Sequence, residues 1–298
     1  MAPQFIALDW GTTSFRAYLA DARGMVADMI SAPEGILSVT DGDFDAVLER
    51  HIGSWNVELP VVAAGMITSR QGWIELPYVA CPAGPVELAA ALHHHQSKRR
   101  RRIAFSTGLS YRAGGGVPDV MRSEETQVFG SLASGARNFV TPGTHSKWIT
   151  VENGRITSFT TYVTGEVFAA LKDHTILGRL MKDGPDNEEA FARGVKAALA
   201  DPAGFLHRIF SVRSLGLFNE MAPEHLASYL SGQVIGSEVA HAIAGNAGNM
   251  DYVVLASPTI GSRYVKAMEI AGLNSRYGDP EAIVRGLALI ALKAGLLK

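Results

Sequence analysis

The stretch Phe5-Ile6-Ala7-Leu8-Asp9-Trp10-Gly11-Thr12-Thr13-Ser14-Phe15-Arg16 leaves an apolar run through a tight polar turn and re-enters a second apolar run at Phe15–Leu19. A further turn, Asp21–Gly24, leads to a third run, Met25–Ile30. Strand, turn, strand, turn, strand is a meander. The first turn carries three chemical tools. Gly11 lets backbone N–H groups face a phosphate with no Cβ in the way, Thr12 and Thr13 add hydroxyl donors, and Asp9 suits a hydrated Mg²⁺, which takes one or two carboxylates and keeps several waters. The bland alternative is a plain hairpin turn. No Gly-Lys-Ser/Thr follows, so this is not a Walker A loop, and no Gly-x-Gly-x-x-Gly opens a helix, so it is not a dinucleotide fingerprint.

The pattern recurs. Phe139–Thr141 leads into Pro142-Gly143-Thr144-His145-Ser146-Lys147, then a strand at Trp148–Val151, an Asn153-Gly154 hairpin turn and a strand at Ile156–Tyr162. Two such turns facing one another can grip a polyphosphate, and phosphoryl transfer is mostly positioning and charge neutralisation. Between them, Phe44, Val47, Leu48 and Ile52 have helical spacing, Pro60–Gly65 reads as a buried strand, Val86–Leu92 and Glu124–Leu132 as helices and Ile103–Phe105 as a short strand. Beyond them come helices at 166–180, 188–199 and 226–243, a strand at 253–256, a helix at 264–270 and a closing helix at 282–296. No period of 20 to 50 residues repeats, which excludes a solenoid. The expectation is a duplicated α/β domain, residues 1–105 carrying the first phosphate turn and 106–298 the second.

Composition narrows the classes. The 298 residues are 47% hydrophobic and 19% charged, with 27 Lys and Arg against 29 Asp and Glu, a formal charge of −2. Such a balance gives no general attraction to nucleic acid or to an anionic membrane. One cysteine, Cys81, precludes a disulfide within the chain and a thiolate zinc cluster. Asp9 interrupts the first apolar run, no basic segment precedes it, and no stretch is apolar enough to span a bilayer, so a soluble, cytoplasmic protein is expected. His93-His94-His95 and the basic run to Arg102 read as a solvated edge, Cys81 as a packed thiol, and the Leu226, Leu230, Val234, Ile243 stripe as core.

Longer blocks carry a resemblance. They are Asp9–Arg16, Gly65–Trp73, Pro77-Tyr78 with Cys81-Pro82-Ala83, Asp119–Gln127, Pro142–Trp148 and Thr164-Gly165-Glu166. In this order the chain resembles the 2-dehydro-3-deoxygalactonokinase family, within the sugar kinase, actin and heat-shock ATPase superfamily. The resemblance implies two ribonuclease H-like (actin-like ATPase) domains of α/β class facing an interdomain cleft. It implies ATP and Mg²⁺ as cofactors and a sugar acid, 2-dehydro-3-deoxy-D-galactonate, phosphorylated on its 6-hydroxyl.

It also implies roles. Asp9 would position the metal, while Gly11, Thr12, Thr13, Gly143, Thr144 and His145 would hold the nucleotide's phosphates. Ser257 and Gly261, in a loop after the 253–256 strand, would lie against its adenosine. Met66, Ser69, Arg70 and Trp73 would bind substrate, Arg70 as a fork donor for the carboxylate and Trp73 as an apolar wall. Arg16, Arg122 and Lys147 are further candidates for the acid. Related kinases place a carboxylate base at the start of a helix shortly before the second loop, which points to Glu124, with Glu125 or Asp119 as substitutes. The bland reading of the Glu pair is dressing of a helix N-terminus. Rivals are a kinase of another small sugar or sugar acid and a non-catalytic sugar sensor. The sensors usually carry an N-terminal DNA-binding segment, for which a turn at residue 9 leaves no room. Self-association is open.

Overall fold

A computed structural model describes residues 2–244, 250–279 and 281–298. The chain forms two units, one of residues 1–136, 149–159 and 279–298, the other of 137–148 and 160–278. The boundary expected after residue 105 falls inside the first unit.

The first unit is built on β1 (Phe5–Trp10), β2 (Phe15–Ala20), β3 (Val26–Ala32), β4 (Val61–Ala64), β6 (His93–Gln96) and β7 (Arg102–Phe105), in the order β3-β2-β1-β4-β7-β6. The meander β1–β2–β3 is antiparallel, while β4 runs parallel to β1 and β7 parallel to β4. Alternation along β1 divides the core between two faces. Ile6, Leu8 and Trp10 pack with Phe44, Leu48 and Ile52 of α1 (Phe44–Ile52). Phe5 and Ala7 pack with Ile283, Val284 and Leu287 of the C-terminal helix α10 (Ala282–Lys293). Asp43 caps α1 by accepting the Ala46 N–H at 3.2 Å. A small sheet of β5 (Val79–Ala80), β8 (Leu109–Arg112) and β9 (Pro118–Met121) adjoins α2 (Pro85–Ala90) in sequence and precedes α3 (Glu124–Gly130).

The basic run is not the uniformly solvated edge that its composition suggests. His93–Gln96 is an edge strand paired antiparallel with β7. Arg101 is buried, with Nε 2.7 Å from Glu49 and its other nitrogens donating to the carbonyls of Ile52, Trp55 and Asn56. A guanidinium is buried there because it closes the end of α1, where carbonyls have no helical partner.

The second sheet, of five strands, repeats the order β3-β2-β1-β4-β7 of the first without its edge strand β6: it runs β12-β11-β10-β13-β14, with β10 (Asn138–Thr141), β11 (Ser146–Glu152), β12 (Arg155–Tyr162), β13 (Asp251–Val254) and β14 (Asn274–Tyr277). This is the ribonuclease H-like arrangement, present twice. The expected hairpin turn is there, with Asn153 and Gly154 both at positive φ (52° and 74°), as a two-residue turn of this hand requires. Helices α4 (Thr164–His174), α5 (Glu188–Ala200), α6 (Phe205–Arg208), α7 (Ser211–Leu217), α8 (Leu226–Ile243) and α9 (Pro258–Ile270) all fall within the second unit. Helix α8 is buried on most of its circumference, so it is core as expected. A Cβ at Gly194, Gly232 or Gly236 would meet backbone or side-chain atoms of the facing helix at 2.1 to 2.8 Å, so glycine lets α5 and α8 approach closely.

Candidate active site

In the first unit the site grows from the turn after β1. The Gly11 N–H donates to the Ser14 carbonyl at 2.9 Å and closes the turn. The segment behind it holds its shape. Gly11 and Thr12 carbonyls accept the N–H groups of Ile36 (3.0 Å) and Leu37 (3.3 Å), and Trp10 Nε1 donates to the Glu34 carbonyl at 3.0 Å. A Cβ on Gly35 would come within 2.1 Å of the Thr12 carbonyl oxygen. Gly35 was not among the expected residues; the tripeptide Glu34-Gly35-Ile36 reads only as a turn from sequence.

Asp9 is buried near the end of β1. Across the hairpin Arg16 is its register partner and places Nη2 2.8 Å from Oδ2. From α3's start the Ser123 hydroxyl donates to Oδ1 at 3.1 Å. Burial raises the Asp9 carboxyl above the usual carboxylate range, against the opposing pull of Arg16 and Ser123. Gly65, at φ +102°, lies so close that a Cβ would stand 2.7 Å from the Trp10 carbonyl and 3.2 Å from Asp9 Oδ1.

Ser123 is a residue that sequence reading passed over. A serine before a helix reads as an N-cap, yet its hydroxyl makes no cap bond and turns to Asp9 instead. It has φ +94°, a strained conformation for a residue with a Cβ. Its N–H donates to both carboxylate oxygens of Glu125, at 3.0 and 2.9 Å, while the Arg122 N–H donates to Glu124 Oε2 at 2.8 Å. The two glutamates therefore have different surroundings. Glu125 is fully buried, and burial, with the Glu124 charge beside it, pushes its carboxyl up to about 8. Glu124 is only half-buried. Asp119 lies on β9, its Oδ1 accepting the Val120 N–H at 2.8 Å.

Beside this cluster is a cavity of about 640 Å³, lined by Met66, Ser69, Arg70, Glu75, Tyr78 and Arg122 among others. Four expected substrate residues, Met66, Ser69, Arg70 and Arg122, thus share one wall. Arg70 is exposed and forms no ion pair among the described residues. Arg122 is committed elsewhere: Nη1 donates to the Thr68 hydroxyl at 2.6 Å and to its carbonyl, Nη2 donates to the Leu76 carbonyl at 3.3 Å, and the guanidinium lies 4.3 Å from the Tyr78 ring centre. Trp73 is not in this lining. Its ring stacks on Phe44 at 6.0 Å and meets Phe105 and His95 edge-on, half-buried against the core that includes α1.

In the second unit, Gly143 and Thr144 sit between β10 and β11, against the first turn of α4. The Glu166 N–H donates to the Thr144 carbonyl at 3.2 Å. A Cβ on Gly165 would stand 2.5 Å from the Gly143 carbonyl and 2.9 Å from Thr144 Cα. Gly143 faces open space, the nearest atom to a Cβ there being 3.9 Å away. His145 is exposed, with Nε2 2.8 Å from Glu166. Lys147 is buried within β11. Glu238, also unforeseen, is buried and accepts from Ser146 (2.6 Å), Trp148 Nε1 (2.7 Å), Tyr264 (2.6 Å) and Thr164. Its signal in the sequence is a lone carboxylate in an apolar helical run. Gly261 is not in a loop: α9 begins at Pro258, which presets the first helical turn, and Gly261 packs on the Tyr277 ring. Ser257 is the residue just before that helix.

A family model described as 2-keto-3-deoxy-galactonokinase matches residues 9–290. A curated relative from Rhizobium meliloti (strain 1021), named "Probable 2-dehydro-3-deoxygalactonokinase DgoK1", is 35% identical over 300 residues, covering 97% of each chain. The 2-dehydro-3-deoxygalactonokinase of Escherichia coli (strain K12) is 30% identical over 274 residues, covering 91% of each. Among solved structures, that of a protein assigned as a 2-dehydro-3-deoxygalactonokinase from Sinorhizobium meliloti superposes with a TM-score of 0.89 at 34% identity, over 96% of this chain and 98% of that one.

Proposed function

The chain belongs to the 2-keto-3-deoxy-galactonokinase family, and we propose from that premise which of its residues carry out the family's reaction. The enzyme is an ATP-dependent sugar-acid kinase that phosphorylates 2-dehydro-3-deoxy-D-galactonate on its 6-hydroxyl, yielding the 6-phospho acid and ADP. The observation that carries the residue assignment is the cavity beside the Asp9–Ser123 contact, with an exposed arginine on its wall. A neutral sugar calls for no such guanidinium, whereas a carboxylate pairs with one in a bidentate fork. Arg70 takes that role. Arg122, occupied by Thr68, Leu76 and Tyr78, shapes the wall. Met66 and Ser69 line the carbon chain.

Glu124 accepts the hydroxyl proton as the nucleophile is aligned. Glu125 is less suited, because a carboxyl that titrates near 8 is mostly protonated at neutral pH and has both oxygens on the Ser123 N–H. The backbones at Gly11–Thr13 and Gly143–Thr144 hold phosphates. Among the described residues no group of three or more His, Cys, Asp or Glu forms a metal cage. Mg²⁺ needs none, since it keeps several waters and takes phosphate oxygens. The one buried carboxylate at the first turn, Asp9, fits that demand, and Arg16 and Ser123 fix its orientation. When bound, Mg²⁺ neutralises charge on the phosphate oxygens. We assign the reaction to the cytoplasm.

A coupled assay for ADP with a panel of sugar acids and neutral hexoses tests the substrate class. Turnover confined to acids is expected, and equal turnover of neutral hexoses would remove Arg70's proposed purpose. Arg70→Ala should raise KM for the acid roughly tenfold or more through loss of a charge-assisted pair, leaving KM for ATP near its starting value.

A further inference from the structure

We propose that Glu238 is a positioning residue that sets the geometry of the second phosphate loop for nucleotide binding. The inference rests on the reading that Gly143–Thr144 holds phosphate. Four donors converge on this one carboxylate: the hydroxyls of Ser146 and Thr164, Tyr264 OH and Trp148 Nε1. They come from β11, the first residue of α4, and α9. Ser146 lies two residues beyond Thr144. Thr164 precedes Gly165, whose Cα lies against the Gly143 carbonyl, and Glu166, whose N–H holds the Thr144 carbonyl. Glu238 therefore reaches the strand that leaves the loop and the helix turn that buttresses it.

The chemistry favours a carboxylate at this point. Its two oxygens divide the set, Oε1 taking Ser146 and Trp148 and Oε2 taking Thr164 and Tyr264, and a carboxylate, acceptor-only when ionised, has lone pairs for all four, whereas a carboxamide would have to turn two of the contacts around. A buried carboxylate is also costly to desolvate. For packing alone, α8 would gain from an apolar residue here, as it has on most of its buried surface. What an apolar residue would lose is the link between loop and helix turn.

The test is calorimetric titration with ADP and Mg²⁺, together with steady-state KM values for ATP and for the sugar acid. The variants are Glu238→Gln, Thr164→Val, Tyr264→Phe and Gly143→Val, all on the full chain. Removing one hydrogen bond to the carboxylate should weaken ADP binding about tenfold in Thr164→Val, and Glu238→Gln, whose amide must donate to two hydroxyls that now donate to it, should weaken binding in the same direction. KM for ATP should rise in parallel, with KM for the acid unchanged. Loss of folded protein alone would lower apparent kcat and leave both KM values in place, and that result overturns the proposal. If Glu238→Gln fails to fold, Thr164→Val and Tyr264→Phe carry the test, since each leaves three donors on the carboxylate. Gly143→Val, at a position where a Cβ meets no atom nearer than 3.9 Å, separates the two readings. If it binds ADP normally, the phosphate-loop reading fails and this inference with it. If it binds poorly while Thr164→Val and Tyr264→Phe bind normally, the role of Glu238 alone is refuted.

Discussion

Two adjacent glutamates illustrate how environment divides labour between identical side chains. Glu124 is half-buried at the mouth of α3, and Glu125 is fully buried one residue on. Glu124→Gln should lower kcat by about 10²-fold or more, as removal of a general base does, with both KM values little changed; near-normal turnover would pass the role to another carboxylate. Glu125 yields a different prediction. Its folded-state pKa, about 8, lies above the ordinary 4.5. The folded protein thus binds that proton more tightly than the unfolded chain, so stability from this group is complete below about pH 4.5 and declines as pH rises through 8. Melting temperatures of Glu125→Gln and the parent should therefore converge or cross toward pH 8.5, the parent falling more steeply from pH 5. Parallel curves would contradict a raised carboxyl. The residues hidden from sequence reading are those whose role depends on distant partners. Ser123 is turned to Asp9, Arg101 to Glu49 and Glu238 to three other elements, and none of these pairings leaves a local pattern.

At the scale of elements, the first turn of α3 is held by how closely α3 lies on α10. A Cβ on Gly130 would meet the Ala282 carbonyl at 1.7 Å, and one on Gly286 would meet the Thr126 carbonyl at 1.8 Å. Gly286→Ala should destabilise the fold by ~1–3 kcal/mol through overpacking, read as a lower melting temperature. It should also lower kcat, because α3 carries Ser123–Glu125 toward Asp9; a variant with normal melting and normal kcat would show that the crossing tolerates the extra methyl group. The two Gly-Thr turns between strands, the α1 spacing and the Asn153-Gly154 hairpin were legible because turn chemistry and hydrophobic period are local signals. The small β5–β8–β9 sheet and β14 were not. Their strands are two to four residues long and largely exposed or half-buried, too short for alternation to declare itself. Trp73 was placed with the substrate by its neighbours in sequence; in the structure it is half-buried, outside the cavity lining, with its ring against Phe44 and Phe105.

At the scale of the molecule, one sheet order appears twice in 298 residues. The duplication was visible in the two turns, but its boundaries were not. The C-terminal helix returns to the first unit because its apolar face completes that unit's second core layer, a long-range fact with no signature at residue 105. Among the described residues no helix is long and apolar enough to cross a membrane. The near-neutral charge agrees with the proposal that backbone groups, rather than a basic surface, hold phosphate. As a member of its family, this chain transfers the terminal phosphoryl group of ATP to the 6-hydroxyl of a 2-dehydro-3-deoxy sugar acid. Phosphorus NMR of the product formed from purified protein, ATP, Mg²⁺ and 2-dehydro-3-deoxy-D-galactonate tests it most directly. One new phosphomonoester coupled to the C6 protons and an equal amount of ADP are expected. ADP with no sugar phosphate, or a phosphate on another hydroxyl, would contradict it.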